Sequence, residues 1–149
     1  MPVKFSRFPT LAFGALLLAA PVAAFACCPS GGQGVAAART GLGESQPATL
    51  DLSADPAVQV YTFEREGVSY YQVNDLAGEV KLIIARIDGT FWTLPAGKRE
   101  ARVSLPSKVL ALPKNARRSI VYRGEGFSLV EYAAGSDVVW AVEAAASGQ

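Results

Sequence analysis

The chain contains no histidine. That absence removes the commonest general base, the commonest transition-metal ligand and the usual switch near neutral pH. It also excludes Ser-His-Asp and Cys-His nucleophilic arrangements. Cysteine is almost as scarce: Cys27 and Cys28 are neighbours, and the rest of the chain has none. A disulfide framework is therefore excluded from the body of the protein, which packing alone must hold together. Two adjacent thiols without a histidine fall short of the four ligands of a tetrahedral metal site, so neither a metal nor another cofactor is expected. The chain also lacks a Gly-x-x-x-x-Gly-Lys-Ser/Thr phosphate loop and a Gly-x-Ser-x-Gly nucleophile elbow. Past residue 26 no apolar run approaches the roughly 20 residues that a membrane-spanning helix requires.

What the chain does have begins at its amino terminus. Lys4 and Arg7 precede an uncharged run, Leu11 to Ala20, which Pro21 ends; Ala24-Phe25-Ala26 then places small side chains two residues apart. A cationic start, a short apolar centre and an Ala-x-Ala end together predict a secretory signal over residues 1–26, cut between Ala26 and Cys27. The expected location is the periplasm or the cell exterior. Cys27 is also a lipidation candidate, because bacterial lipoproteins acylate the cysteine that follows the cut. Ala24 stands where such signals usually carry leucine, and the spacer containing Pro21 favours ordinary cleavage.

Without Lys4 and Arg7, 12 of the 14 bases remain against 13 acids. This balance argues against nucleic acid as a partner. The distribution is uneven: seven acids and one base lie between Glu44 and Glu79, eight bases and one acid between Lys98 and Arg123. Opposite charge on different faces is the expectation.

Residues 29–49 are rich in Gly, Ser, Ala and Pro with few large apolar groups, which predicts a flexible tether over 27–49. From Leu50 onward, short β-branched and aromatic runs alternate with turn signals, the pattern of an all-β domain over 50–143, with residues 144–149 fraying. Expected strands are Leu50–Leu52, Val58–Glu64, Val68–Val73, Val80–Ile87, Thr90–Leu94, Arg99–Leu105, Val109–Leu112, Ile120–Arg123, Phe127–Tyr132 and Val138–Val142. Glu66-Gly67 and Asp88-Gly89 are expected hairpin turns. Tyr61 to Ser69 and Ile120 to Ser128 echo one another, each followed by Ala-Gly and a further apolar strand. The expected fold is a small antiparallel meander forming a barrel or a sandwich, with a duplicated three-strand unit as one route to it.

Three cations around a proline-flanked segment, Lys114, Arg117 and Arg118, are the candidate contacts for an anionic group, in an expected exposed loop. In a strand, Phe91 and Trp92 point to opposite faces, so one of them is expected at the surface if only one face is buried, with core packing on both faces as the alternative. Glu64, Asp75, Glu79 and Asp88 are the carboxylates available to a hydrolase, an alternative that needs two of them across one cleft. No catalytic residue is assigned. The leading expectation is a non-catalytic exported domain that binds an envelope component or an anionic surface. A lipoprotein acylated at Cys27 and a carboxylate-dependent hydrolase are the alternatives.

Overall fold

A computed structural model describes residues 37, 38 and 40–145, together with Pro2. The expected signal apart from Pro2, with Ala26, Cys27, Cys28 and the first part of the expected tether, lies outside the described residues. Apart from Pro2, all of the described structure belongs to the unit Gly34–Gln149.

The described chain is all β. Four strands, β1 (Val58–Arg65), β2 (Val68–Asp75), β3 (Val80–Ile87) and β4 (Thr90–Leu94), form an antiparallel meander in the order β1-β2-β3-β4. The other four are β5 (Val103–Ser104), β6 (Arg117–Gly124), β7 (Phe127–Ala134) and β8 (Asp137–Ala144), in the order β5-β8-β7-β6. Only the short β5 runs parallel to its neighbour, pairing Val103 with Trp140. The two sheets face one another as a small sandwich. The expected alternative, a barrel, is corrected: β4 and β5 do not pair, and neither do β1 and β6, so neither seam closes.

Local chemistry sets the hairpins. Glu66 and Gly67 both have positive φ (53° and 79°), as do Asp88 and Gly89 (46° and 79°). These are two-residue turns whose twist matches that of the flanking strands. The two halves of the sequence echo fall one in each sheet, as β1-β2-β3 and β6-β7-β8.

The core lies between the sheets. Val60, Tyr71, Val73, Leu82, Ile84 and Phe91 face inward from the first sheet, against Val121, Phe127, Leu129, Trp140 and Val142 from the second. At one end the Phe127 ring contacts Tyr71 at 5.1 Å and Phe91 at 5.0 Å between centroids, in edge-to-face geometry. Each such pair contributes about 0.5–1.5 kcal/mol beyond area burial. Arg86 lies 5.3 Å over the same ring and donates to the Glu125 carbonyl, closing that end.

Outward-facing residues are buried too. Irregular chain runs from Ala38 to Leu52, and both ends attach to the free edge of β1. Ala38 accepts from Glu64 and donates to Thr62, while Leu52 donates to Val60. Between these anchors residues 43–45 lie over β2. Gln72, fully buried, accepts from the Gly43 amide at 2.6 Å and donates to the Glu44 carbonyl; Asn74, also fully buried, donates to the Ser45 carbonyl. Residues 43–45 fall within the stretch expected as a tether, and two buried amide side chains fix them.

Other differences from expectation share one cause, the availability of a pairing partner. Leu50–Leu52 is not a strand and hydrogen-bonds with β1 only at Val60, whose carbonyl accepts from Leu52 and whose amide donates to the Asp51 carboxylate. Of Arg99–Leu105 only Val103–Ser104 pairs, and Val109–Leu112 forms no strand. β6 begins at Arg117 rather than Ile120, because Arg117 to Ser119 pair with Glu131 to Ala133 of β7. Ala144 ends β8 opposite Phe127, while residues 146–149 lie outside the described residues.

Replacing Gln72 with Leu would leave the Gly43 amide and the buried Asn74 Oδ1 without their partner, while the Glu44 carbonyl keeps only its 3.3 Å bond from Asn74. A loss of about 2–4 kcal/mol is expected, since each stranded buried group costs roughly 1–3 kcal/mol. Hydrogen exchange should rise first at Gly43. Unchanged protection there would show that the strap does not depend on this side chain.

Candidate functional site

The closed end of the sandwich has an open counterpart. The starts of β1, β3 and β8 and the ends of β2 and β7 surround a cavity of about 740 Å³. The connector from β4 to β5 passes along its rim and contributes Lys98 to Arg102. Its apolar wall is Ala57, Val58, Val80, Ala101, Val138 and Trp140. Five acids line it (Asp75, Glu79, Glu100, Glu131 and Asp137), and so do four bases (Lys81, Lys98, Arg99 and Arg102).

Most of these charges are already matched. Asp75 organises the β2–β3 turn by accepting from the amides of Ala77 and Glu79. It also lies 2.9 Å from the Lys81 ammonium, which reaches Glu79 at 3.3 Å. The Lys81 hydrogen bond, then the backbone donors, hold the Asp75 carboxyl below the ordinary carboxylate range. Lys98, then Lys81, do the same for Glu79. Arg102 pairs with Asp137.

Glu131 is different. It stands opposite Trp140 in the β7–β8 register, and both side chains reach the cavity. Burial pushes its carboxyl above the usual range; Arg117 opposes the shift and Asp55 adds to it. Among the described residues nothing hydrogen-bonds to this carboxyl.

The carboxylates named from sequence divide accordingly. Asp75 and Glu79 share the cavity, Asp88 sits in its hairpin turn at positive φ, and Glu64 is exposed near the end of β1. The pair that does meet is ion-paired through Lys81, and among the described residues no group of three or more acids or cysteines could hold a metal ion. Glu131 was not singled out in the sequence. Only its place on an apolar strand, FSLVEYAA, marked it.

The cationic candidates are likewise separated. Lys114 is exposed beside Asn115, in a turn where the Ala116 amide donates to the Pro113 carbonyl. Arg117 and Arg118 belong to β6 and, as successive strand residues, point to opposite faces. Arg118 lies 2.5 Å from Glu143 and donates to the Tyr132 hydroxyl at 3.2 Å. Burial raises Glu143, but its hydrogen bonds from Arg118 and Tyr132 outweigh this and hold it low. Arg118 is thus engaged within the fold.

The segment before Lys114 carries a feature that sequence reading took for a strand. Leu105 and Lys108 exchange backbone hydrogen bonds at 2.9 and 3.0 Å, and the Leu110 amide donates to the Ser104 hydroxyl. Held in this way, the segment exposes Val109 (80 %) and Leu112 (45 %). Lys108 and Lys114 flank them on the same segment and Arg117 follows at the start of β6; all three are exposed, and none takes part in the ion pairs of the described residues. Of the aromatic pair considered in the sequence, Phe91 enters the core and Trp92 is 37 % exposed.

No family model, curated protein or solved structure matches this chain.

Glu131→Gln tests the strain in the cavity. An acid whose folded pKa is raised is neutral in both states at low pH and adds nothing there. As pH rises from the ordinary glutamate range through the raised value, folding disfavours its ionisation and stability is lost. Glutamine abolishes that loss. The variant should match the parent in melting midpoint near pH 4 and exceed it near pH 7. A gap independent of pH would mean that Glu131 titrates normally.

Proposed function

We propose that this protein is an exported, non-catalytic β-sandwich that binds at the bacterial cell envelope, and that the segment from Leu105 to Arg117 is its contact with an anionic membrane surface. The observation that carries this reading is the pairing of two exposed apolar side chains, Val109 and Leu112, with three uncommitted cations, Lys108, Lys114 and Arg117. Exposed apolar groups that are scattered singly need no explanation, but these are held on one short segment between prolines 106 and 113. Apolar groups entering the interfacial layer contribute in proportion to the area they bury. Each cation near an anionic surface adds about 1 kcal/mol. The two terms fit one surface, an anionic bilayer. The secretory signal expected over residues 1–26 supplies the location.

Acylation of Cys27 is compatible with this reading, since a lipid anchor would hold the domain at the same surface that the basic segment contacts. The carboxylate-dependent hydrolase is less well supported. Asp75 and Glu79, the two sequence candidates that share a cavity, are both occupied by lysines.

Co-sedimentation with vesicles tests the proposal. The protein should bind vesicles of phosphatidylglycerol and phosphatidylcholine well above pure phosphatidylcholine. Val109→Ser with Leu112→Ser should weaken that binding about tenfold, as should Lys108→Gln with Lys114→Gln. Binding that ignores headgroup charge, or that survives both double substitutions, would overturn it.

A further inference from the structure

We infer that the open end of the sandwich is a second binding site, for a small organic cation that carries a primary ammonium group on an apolar body. This site is separate from the Leu105–Arg117 contact and does not rest on it.

Three features define it. The first is size: about 740 Å³ falls within the 300–1,000 Å³ usual for small-molecule sites. The second is an apolar floor. Val58 and Trp140 are nearly buried at the base, and Val80, Ala101 and Val138 continue the wall. The third is an unmatched carboxylate beside that floor: of the two acids left without an ion pair, Glu100 is exposed on the rim and Glu131 is half-buried. Around the rim Lys81, Lys98 and Arg102 are matched to Asp75, Glu79 and Asp137. Glu131 has no such partner among the described residues, and it stands beside Trp140 across the β7–β8 ladder.

A carboxylate half removed from water and given no donor is costly by itself. Its oxygens are not fully buried, so water meets them in the free protein, and a ligand cation would take the place of that water. Arg117, which acts on Glu131 through space, is exposed on the edge strand and forms no ion pair with it. A ligand ammonium would donate hydrogen bonds to the Glu131 carboxylate, and its apolar portion would displace water from the floor. The face of an indole is also favourable to a cation held near it. An anionic ligand would meet Arg99, the one unmatched base on the rim, but would have to carry its charge past Glu131 and Glu100. The charge left after internal pairing is thus acidic at the base of the cavity and mixed only at its mouth.

Three probes with one ring and different charge test the assignment: benzylammonium, benzyl alcohol and benzoate, titrated into the purified protein by calorimetry near pH 7. Benzylammonium should bind about tenfold or more tightly than benzyl alcohol, and benzoate most weakly, as a charge-assisted hydrogen bond predicts. Glu131→Gln should erase the preference for the cation, whereas Arg99→Gln should keep it. Glutamine is close in shape to the protonated acid, and the variant's melting midpoint, no lower than the parent's, confirms that it is folded. In a Trp92→Phe background Trp140 is the only tryptophan, so its emission should change on saturation with benzylammonium. Val109→Ser with Leu112→Ser should leave this binding unaltered, which separates the site from the membrane contact. The inference fails if benzoate binds best, if Glu131→Gln retains the cation preference, if Trp140 emission does not respond, or if none of the three probes binds at millimolar concentration.

Discussion

The architecture depends on Phe127. It is the first residue of β7, and its ring lies against Tyr71 and Phe91 of the opposite sheet, beneath the Arg86 guanidinium. Gly124 across the turn makes room for it, since any β-carbon there would lie 2.3 Å from the ring. These contacts join the sheets at one end, where Arg86 also ties β3 to the β6–β7 turn. Among the described residues no such aromatic pair joins them at the other end. There the inward positions are Val58, Val138 and Glu131 rather than interlocking rings, and the sheets enclose a cavity. The open end follows from where the aromatic residues lie in the strands.

Both sheets also carry chain on their outer faces, which explains the composition of the strands. A sheet with one wet face alternates apolar and polar residues, whereas one covered on both faces reads as a continuous apolar run. VKLIIARI in β3 and VVWAV in β8 are of the second kind. Over the first sheet, the segment from Ala38 to Leu52 leaves the edge of β1 and returns to it, fixed by Gln72 and Asn74. On the second sheet, β5 and β6 are opposite edges, so the chain from Leu105 to Ala116 must cross from one to the other. The outward Ser104 hydroxyl holds it on the outer face through Leu110. Covering the edge and face of a sheet in this way also blunts the unpaired backbone groups of β1.

This double covering decides how much could be read from the sequence. Turns depend on two residues, so Glu66-Gly67 and Asp88-Gly89 were legible, and the boundaries of β3 and β4 with them. Pairing depends on a distant partner, so Val109–Leu112, strand-like in composition, was misplaced, and Arg117 and Arg118, loop-like in composition, were misplaced the other way. Arg118 looked like a free cation because Glu143 is 25 residues away. Gly43 to Ser45 looked like a tether because the groups that hold them, Gln72 and Asn74, read as polar interruptions of β2. The cavity was least legible of all. Six separate segments build it, and Glu131 gains its character only when the β7–β8 register sets it beside Trp140.

Arg117 is where the two surfaces meet. It opens β6 at the open end of the sandwich, and it closes the basic segment that begins at Lys108. Its charge favours the ionised form of Glu131, against the burial that disfavours it. An arginine on an exposed strand start acts on a half-buried carboxylate through a mixed dielectric, so its influence depends on what else it faces. Anionic groups gathered around Arg117 would offset that field and leave Glu131 with less cationic support from the fold. The carboxylate would then depend more on a cation from outside. If both proposals hold, the membrane contact and the cation site would share Arg117, and electrostatics alone would give their coupling a sign: anionic lipid at Arg117 would favour a cation at Glu131.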